Sequence, residues 1–177
     1  MTKKRYVLVG TGGRAISFIE PLVTRYRASG ELLALCDVSA TRMAHYNALL
    51  AGTLGYHALP TYAADQFDTM LRDQRPDIVI VTSKDSTHHD YIIRALRAGC
   101  DVITEKPMTI DAVKCRAILD AVAETGRHVR VAFNYRWQAY RTRLKELLAA
   151  GTIGRVRAVN LEYVLDMRHG VDYYRRW

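Results

Sequence analysis

Gly10-Thr11-Gly12-Gly13-Arg14-Ala15 follows the apolar run Tyr6-Val7-Leu8-Val9, and Asp37 closes a second apolar run, Leu32-Leu33-Ala34-Leu35-Cys36. A glycine turn between a buried strand and a helix suits a diphosphate. Gly10 permits the tight turn, Gly12 lets the backbone come close to a pyrophosphate, and small Ala15 lets helix and strand pack. The first N–H groups of the helix lack internal partners, and the helix dipole adds to their pull on an anion. Asp37 stands where a carboxylate accepts hydrogen bonds from both ribose hydroxyls, and where a 2′-phosphate would meet like charge. The pattern favours NAD over NADP. Arg14 and Arg42 keep NADP open, because either guanidinium can meet a 2′-phosphate. The same glycines also read as an ordinary turn, and Asp37 as a strand-end cap. It is the order strand, turn, helix, then a strand ending in an acid that points to a dinucleotide.

The second group is Cys100-Asp101-Val102-Ile103-Thr104-Glu105-Lys106-Pro107. Here a strand ends in an acid–base–proline triplet at the carboxyl edge of a sheet, where doubly wound folds bind ligands. Proline fixes the backbone and so aims Lys106 into the crevice. A lysine there can hold a substrate hydroxyl, or stabilise an alkoxide while hydride leaves the same carbon. Position alone leaves a second reading equally open, a surface Glu–Lys pair ahead of a helix capped by Thr109.

The elements that must position these residues alternate strictly. Strand-like runs cover residues 5–10, 31–37, 77–83, 101–104 and 128–133, with a weak candidate at 56–59. Amphipathic segments cover 13–28, 40–51, 63–73, 87–98, 110–124 and 140–149. Runs such as Ile78-Val79-Ile80-Val81 show no in/out alternation, as in parallel strands covered by helices on both faces. The expected fold is therefore α/β, a doubly wound parallel sheet of the Rossmann type. Residues 1–150 form its dinucleotide-binding domain. Residues 155–166 alternate like a half-exposed strand, so residues 151–177 read as the first strand of a truncated second α/β domain.

The chain has 177 residues, 49% of them apolar and 25% charged, as in soluble globular proteins. No apolar stretch reaches membrane-spanning length and no signal peptide is visible, so a cytoplasmic location without membrane contact is expected. Cys36, Cys100 and Cys115 are widely spaced, which argues against a disulfide framework or a metal site. The net charge of +8 is spread over helix surfaces without one basic stripe, so an anionic small molecule fits better than nucleic acid.

Taken together, the chain resembles the N-terminal part of the glucose–fructose oxidoreductase/inositol dehydrogenase (Gfo/Idh/MocA) family. The resemblance rests on the glycine turn, on residues 77–88, on Glu105-Lys106-Pro107 and on Phe133-Asn134-Tyr135-Arg136-Trp137. It implies a Rossmann domain binding NAD or NADP, then an α/β domain that carries most of the substrate site and the contacts of a homo-oligomer. It implies that Lys106 contacts the reacting hydroxyl and the nicotinamide ribose, with Glu105 beside it at the cofactor. Ser83, Asp85 and His88 match a segment covering the adenine and ribose side, although Lys84 replaces the family's usual proline there. Asn134 matches a residue near the nicotinamide end. The family's acid–base histidine follows an aspartate further along the second domain, beyond Trp177, and His169 is the candidate within this chain. Tyr173, Tyr174 and Trp177 suit stacking on a sugar ring. The expected function is hydride transfer between a nicotinamide cofactor and a sugar, cyclitol or related polyol. The alternative is a non-catalytic NAD(P)-binding or redox-sensing module.

Overall fold

A computed structural model describes residues 2–164 and Val171. The chain divides into two compact units, residues 1–133 and 134–177. In the first, β1 (Lys4–Val9), β2 (Gly30–Asp37), β3 (Thr61–Ala63), β4 (Ile78–Val81), β5 (Asp101–Thr104) and β6 (Val129–Val131) form one sheet in the order β3-β2-β1-β4-β5-β6. Every neighbouring pair is parallel. This is the doubly wound α/β architecture anticipated from the alternation.

Parallel strands need crossovers, and α1 (Ile16–Val23), α2 (Ala40–Gly52), α3 (Phe67–Gln74), α4 (His88–Arg97) and α5 (Ala112–Thr125) supply them. Alternate strand residues feed two apolar layers. Val7, Val9, Val79, Val81 and Val102 pack with Phe67, Met70, Ile92, Leu96 and Ile118 of α3, α4 and α5. Leu8, Leu32, Leu35 and Ile80 pack with Ile19, Met43 and Leu50 of α1 and α2. The β1–β2 register shifts after Tyr6↔Leu32 to Val7↔Ala34. Leu33 is thus the extra residue of a bulge, and it leans on the same layer as Ala34. Inside this core, burial and then the Asp37 charge push the Cys36 thiol up to about 12. Burial and the Asp101 charge push Cys100 to about 11.

Several expectations shift. α1 ends at Val23 rather than 28: the Thr24 N–H still bonds the Glu20 carbonyl, and then the chain turns, the Tyr26 N–H bonding the Pro21 carbonyl. Residues 56–59 are not a strand. Tyr56 and Leu59 are buried as side-chain plugs, and β2 pairs instead with Thr61–Ala63. The cap of α5 is Asp111, which accepts from Lys114 N–H, and not Thr109.

The second unit contains a 3-10 turn, Asn134–Trp137, and α6 (Ala139–Ala149). The Arg141 guanidinium lies over the rings of Tyr135 (4.6 Å) and Tyr140 (5.3 Å). The strand expected at 155–166 is absent over 155–164, where the chain is irregular and exposed. A lone strand has no ladder to satisfy its backbone. Among the described residues no helix is long and apolar enough to cross a membrane.

Candidate cofactor site

β1 and β4 are neighbours, but α1 and α4 leave them toward opposite layers of the sheet. Their carboxyl ends part there, and the crevice between them is where such folds hold ligands. Gly10 sits at its floor with φ +95°, its N–H bonded to the Cys36 carbonyl at 2.8 Å. A Cβ on Gly10 would overlap the Thr82 carbonyl carbon and the Ser83 amide nitrogen. Thr82 Oγ1 donates to the Gly10 carbonyl at 2.6 Å, fastening the turn to the end of β4. Gly12 and Gly13 differ. A Cβ on either would meet nothing within 4 Å, and among the described residues the N–H groups of Gly12, Gly13 and Arg14 have no acceptor. Three free N–H groups in the turn that leads into α1, with open space at both glycines, fit a pyrophosphate. Ala15 is fully buried, and the Tyr46 hydroxyl of α2 donates to the Gly12 carbonyl at 2.7 Å.

Asp37, nearly buried at 6% exposure, is wired into the same turn. Its Oδ2 accepts from Thr11 N–H (2.5 Å) and Thr11 Oγ1 (2.9 Å), and its Oδ1 accepts from Ser39 N–H (2.8 Å). A carboxylate offers about four lone-pair sites. Three are used within the chain, which leaves one on Oδ1 for a ligand.

The facing wall comes from β5 and the loop after β4. Glu105, buried, takes the Arg14 guanidinium on Oε1 and the Lys106 N–H on Oε2 at 2.9 Å. Arg14 is therefore turned to Glu105 and not toward Asp37, where a 2′-phosphate would lie. Lys106 is exposed at the strand end, and the Lys106–Pro107 bond is cis. Ser83 Oγ shares a hydrogen bond of 2.9 Å with Thr87 Oγ1. Asp85, in the 3-10 turn Asp85–Thr87, has its carboxyl pushed up by burial, against the opposing charges of His88 and Lys106. His88 also stands in this wall. It is fully buried, with Nδ1 3.0 Å from the Pro107 carbonyl and Nε2 3.0 Å from the Ser83 carbonyl. Both carbonyls are acceptors, so a neutral ring donates to one of them and a charged ring to both, and His88 links the two loops.

The structure thus gathers Gly10, Thr11, Gly12, Gly13, Arg14, Ala15, Asp37, Ser83, Asp85, Glu105 and Lys106 at the carboxyl ends of β1, β2, β4 and β5. Asn134 opens the second unit and is exposed there. His169, Tyr173, Tyr174 and Trp177 lie outside the described residues. Thr82 and Tyr46 were not anticipated. Tyr46 shares the buried face of α2 with Met43 and Leu50, a spacing that signals core and hides the hydroxyl's task.

Residues 4–133 match a family described as oxidoreductases with an NAD-binding Rossmann fold. The chain is 39% identical over 175 residues to a putative oxidoreductase, YteT, of Bacillus subtilis, covering 98% of this chain and 40% of that protein. It is 34% identical to an inositol 2-dehydrogenase of Gluconacetobacter diazotrophicus, covering 94% and 47%. The chain thus spans less than half the length of these relatives. In fold it resembles scyllo-inositol dehydrogenase of Lactobacillus casei, solved with NAD(H) and scyllo-inositol. That match has a TM-score of 0.73 and 23% identity, covering 86% of this chain and 43% of that one.

Proposed function

The chain belongs to the GFO_IDH_MocA oxidoreductase family, and from that premise we propose that it is the cofactor-binding part of an NAD-dependent dehydrogenase. Its substrate is a sugar, cyclitol or related polyol bearing a CH–OH group. The observation that carries this reading is the meeting of an open glycine turn, a nearly buried acid and an exposed lysine at one crevice, where β1 and β4 part.

Bound NAD supplies a hydride acceptor at its nicotinamide ring. The residues of this chain do the rest. The N–H groups of Gly12, Gly13 and Arg14 hold the pyrophosphate, and Asp37 takes one hydroxyl of the adenosine ribose. Arg14, paired with Glu105, closes the crevice between the turn and β5. Glu105 also fixes the Lys106 backbone, so the ammonium stays over the crevice and orients the substrate hydroxyl. The proton of that hydroxyl passes to His169 or to a residue beyond Trp177, or to Lys106 Nζ where that group is the neutral amine. The enzyme works in the cytoplasm as a homo-oligomer.

NAD reduction by a panel of inositols and aldoses, followed through NADH absorbance, tests the reading. A polyol that supports turnover, lost on Lys106→Met with NADH affinity kept within a few fold, supports it. Turnover that survives Lys106→Met overturns the role of the lysine.

A further inference from the structure

We propose that His88 is the positioning residue for Lys106, acting through the Pro107 carbonyl and without touching the cofactor; this rests on the dehydrogenase reading above. Lys106 is exposed on the last turn of chain after β5, and an exposed lysine points at one place only if its backbone is held. Two contacts hold it. On the preceding side Glu105 Oε2 accepts the Lys106 N–H at 2.9 Å. On the following side His88 Nδ1 meets the Pro107 carbonyl at 3.0 Å. The ring's other nitrogen meets the Ser83 carbonyl, also at 3.0 Å, and the ring is fully buried. The end of β4, which backs the glycine turn through Thr82, is thereby linked to the corner that carries Lys106. The histidine aligns the two walls of the crevice.

Two amide substitutions separate the two contacts. Asparagine sets a nitrogen near the place of Nδ1 and can keep the bond to Pro107. Glutamine sets one near the place of Nε2 and can keep the bond to Ser83. The assay is acylation of Lys106 by an amine-reactive ester, read by peptide mass spectrometry with and without NADH. Each variant is used at an NADH concentration that saturates it by its own titration. In wild type and His88→Asn, NADH should slow Lys106 labelling about fivefold or more, the ratio equivalent to one net hydrogen bond. In His88→Gln the protection should fall to roughly twofold or less, with NADH affinity kept within a few fold. A Gln variant that protects Lys106 as wild type does overturns the inference, and so does equal loss in both variants. A wild-type chain that binds no NADH instead overturns the cofactor reading itself.

Discussion

Replacing Gly10 and Gly12 separately by alanine should divide folding from binding. Gly10 has φ +95°, and its Cβ would overlap the backbone of Thr82 and Ser83. An L-residue in that region costs roughly 1–2 kcal/mol, and displacing packed backbone adds roughly 1–3 kcal/mol. Gly10→Ala should therefore lose about 2–5 kcal/mol, a large part of the roughly 5–15 kcal/mol a domain has. With a urea slope near ~1.5 kcal/mol per molar, the unfolding midpoint falls by about 1–3 M. Gly12 is the control. Its Cβ meets nothing, so Gly12→Ala should unfold within about 1 kcal/mol of wild type, on the stable side if the entropy of the unfolded chain decides. That same Cβ fills the space before the free N–H groups, so NADH affinity should fall about tenfold or more, ~1.4 kcal/mol. Urea unfolding by circular dichroism and titration by NADH fluorescence read the two effects. Equal destabilisation by both substitutions, or unchanged NADH binding in Gly12→Ala, refutes the assignment of one glycine to packing and the other to ligand.

Other predictions follow from single contacts. Arg75 is the one non-glycine among the described residues with positive φ, at +42°, and it ends α3; Arg75→Gly should raise stability by about 1 kcal/mol in the same urea assay. Cys36 and Cys100 titrate near 12 and 11 against an ordinary 9.0. The unfolded chain releases these protons from pH 9 upward while the folded chain keeps them, so stability is intact below 9 and falls as pH climbs toward 11–12. Each thiol contributes roughly 1.4 kcal/mol per pH unit in that window, and Cys36→Ala should make the measured fall shallower by one thiol's share. Glu105→Gln removes the charge that holds Arg14 while leaving an oxygen for the Lys106 N–H; NADPH affinity should rise relative to NADH if the freed guanidinium reaches a 2′-phosphate, and an unchanged ratio would show that Arg14 stays away from Asp37.

What could be read from the sequence was whatever local chemistry dictates. The buried runs of β1, β2, β4 and β5 had to be parallel strands, since only a sheet covered on both faces uses such continuous apolar stretches. Gly10 and Asp37 were legible because a glycine turn and a strand-end acid are signals within one βα unit. Contacts between distant segments left no such trace. Arg14 meets Glu105 across 91 residues, and that pairing decides which way the guanidinium points. His88 was singled out through the resemblance alone, because its partners, Ser83 and Pro107, are backbone carbonyls that any residue type supplies. β3 was missed because three residues on a sheet edge carry too little pattern, while the buried side chains of Tyr56 and Leu59 just before it imitate a strand.

The central claim, that the crevice between β1 and β4 binds NAD with Asp37 at the ribose, is tested most directly by calorimetric titration of the wild-type chain and Asp37→Ala with NADH and NADPH. The account predicts that wild type prefers NADH by about tenfold or more, and that Asp37→Ala loses that preference by weakening NADH far more than NADPH. Equal affinity of wild type for the two cofactors, or equal loss of both in Asp37→Ala, would contradict it.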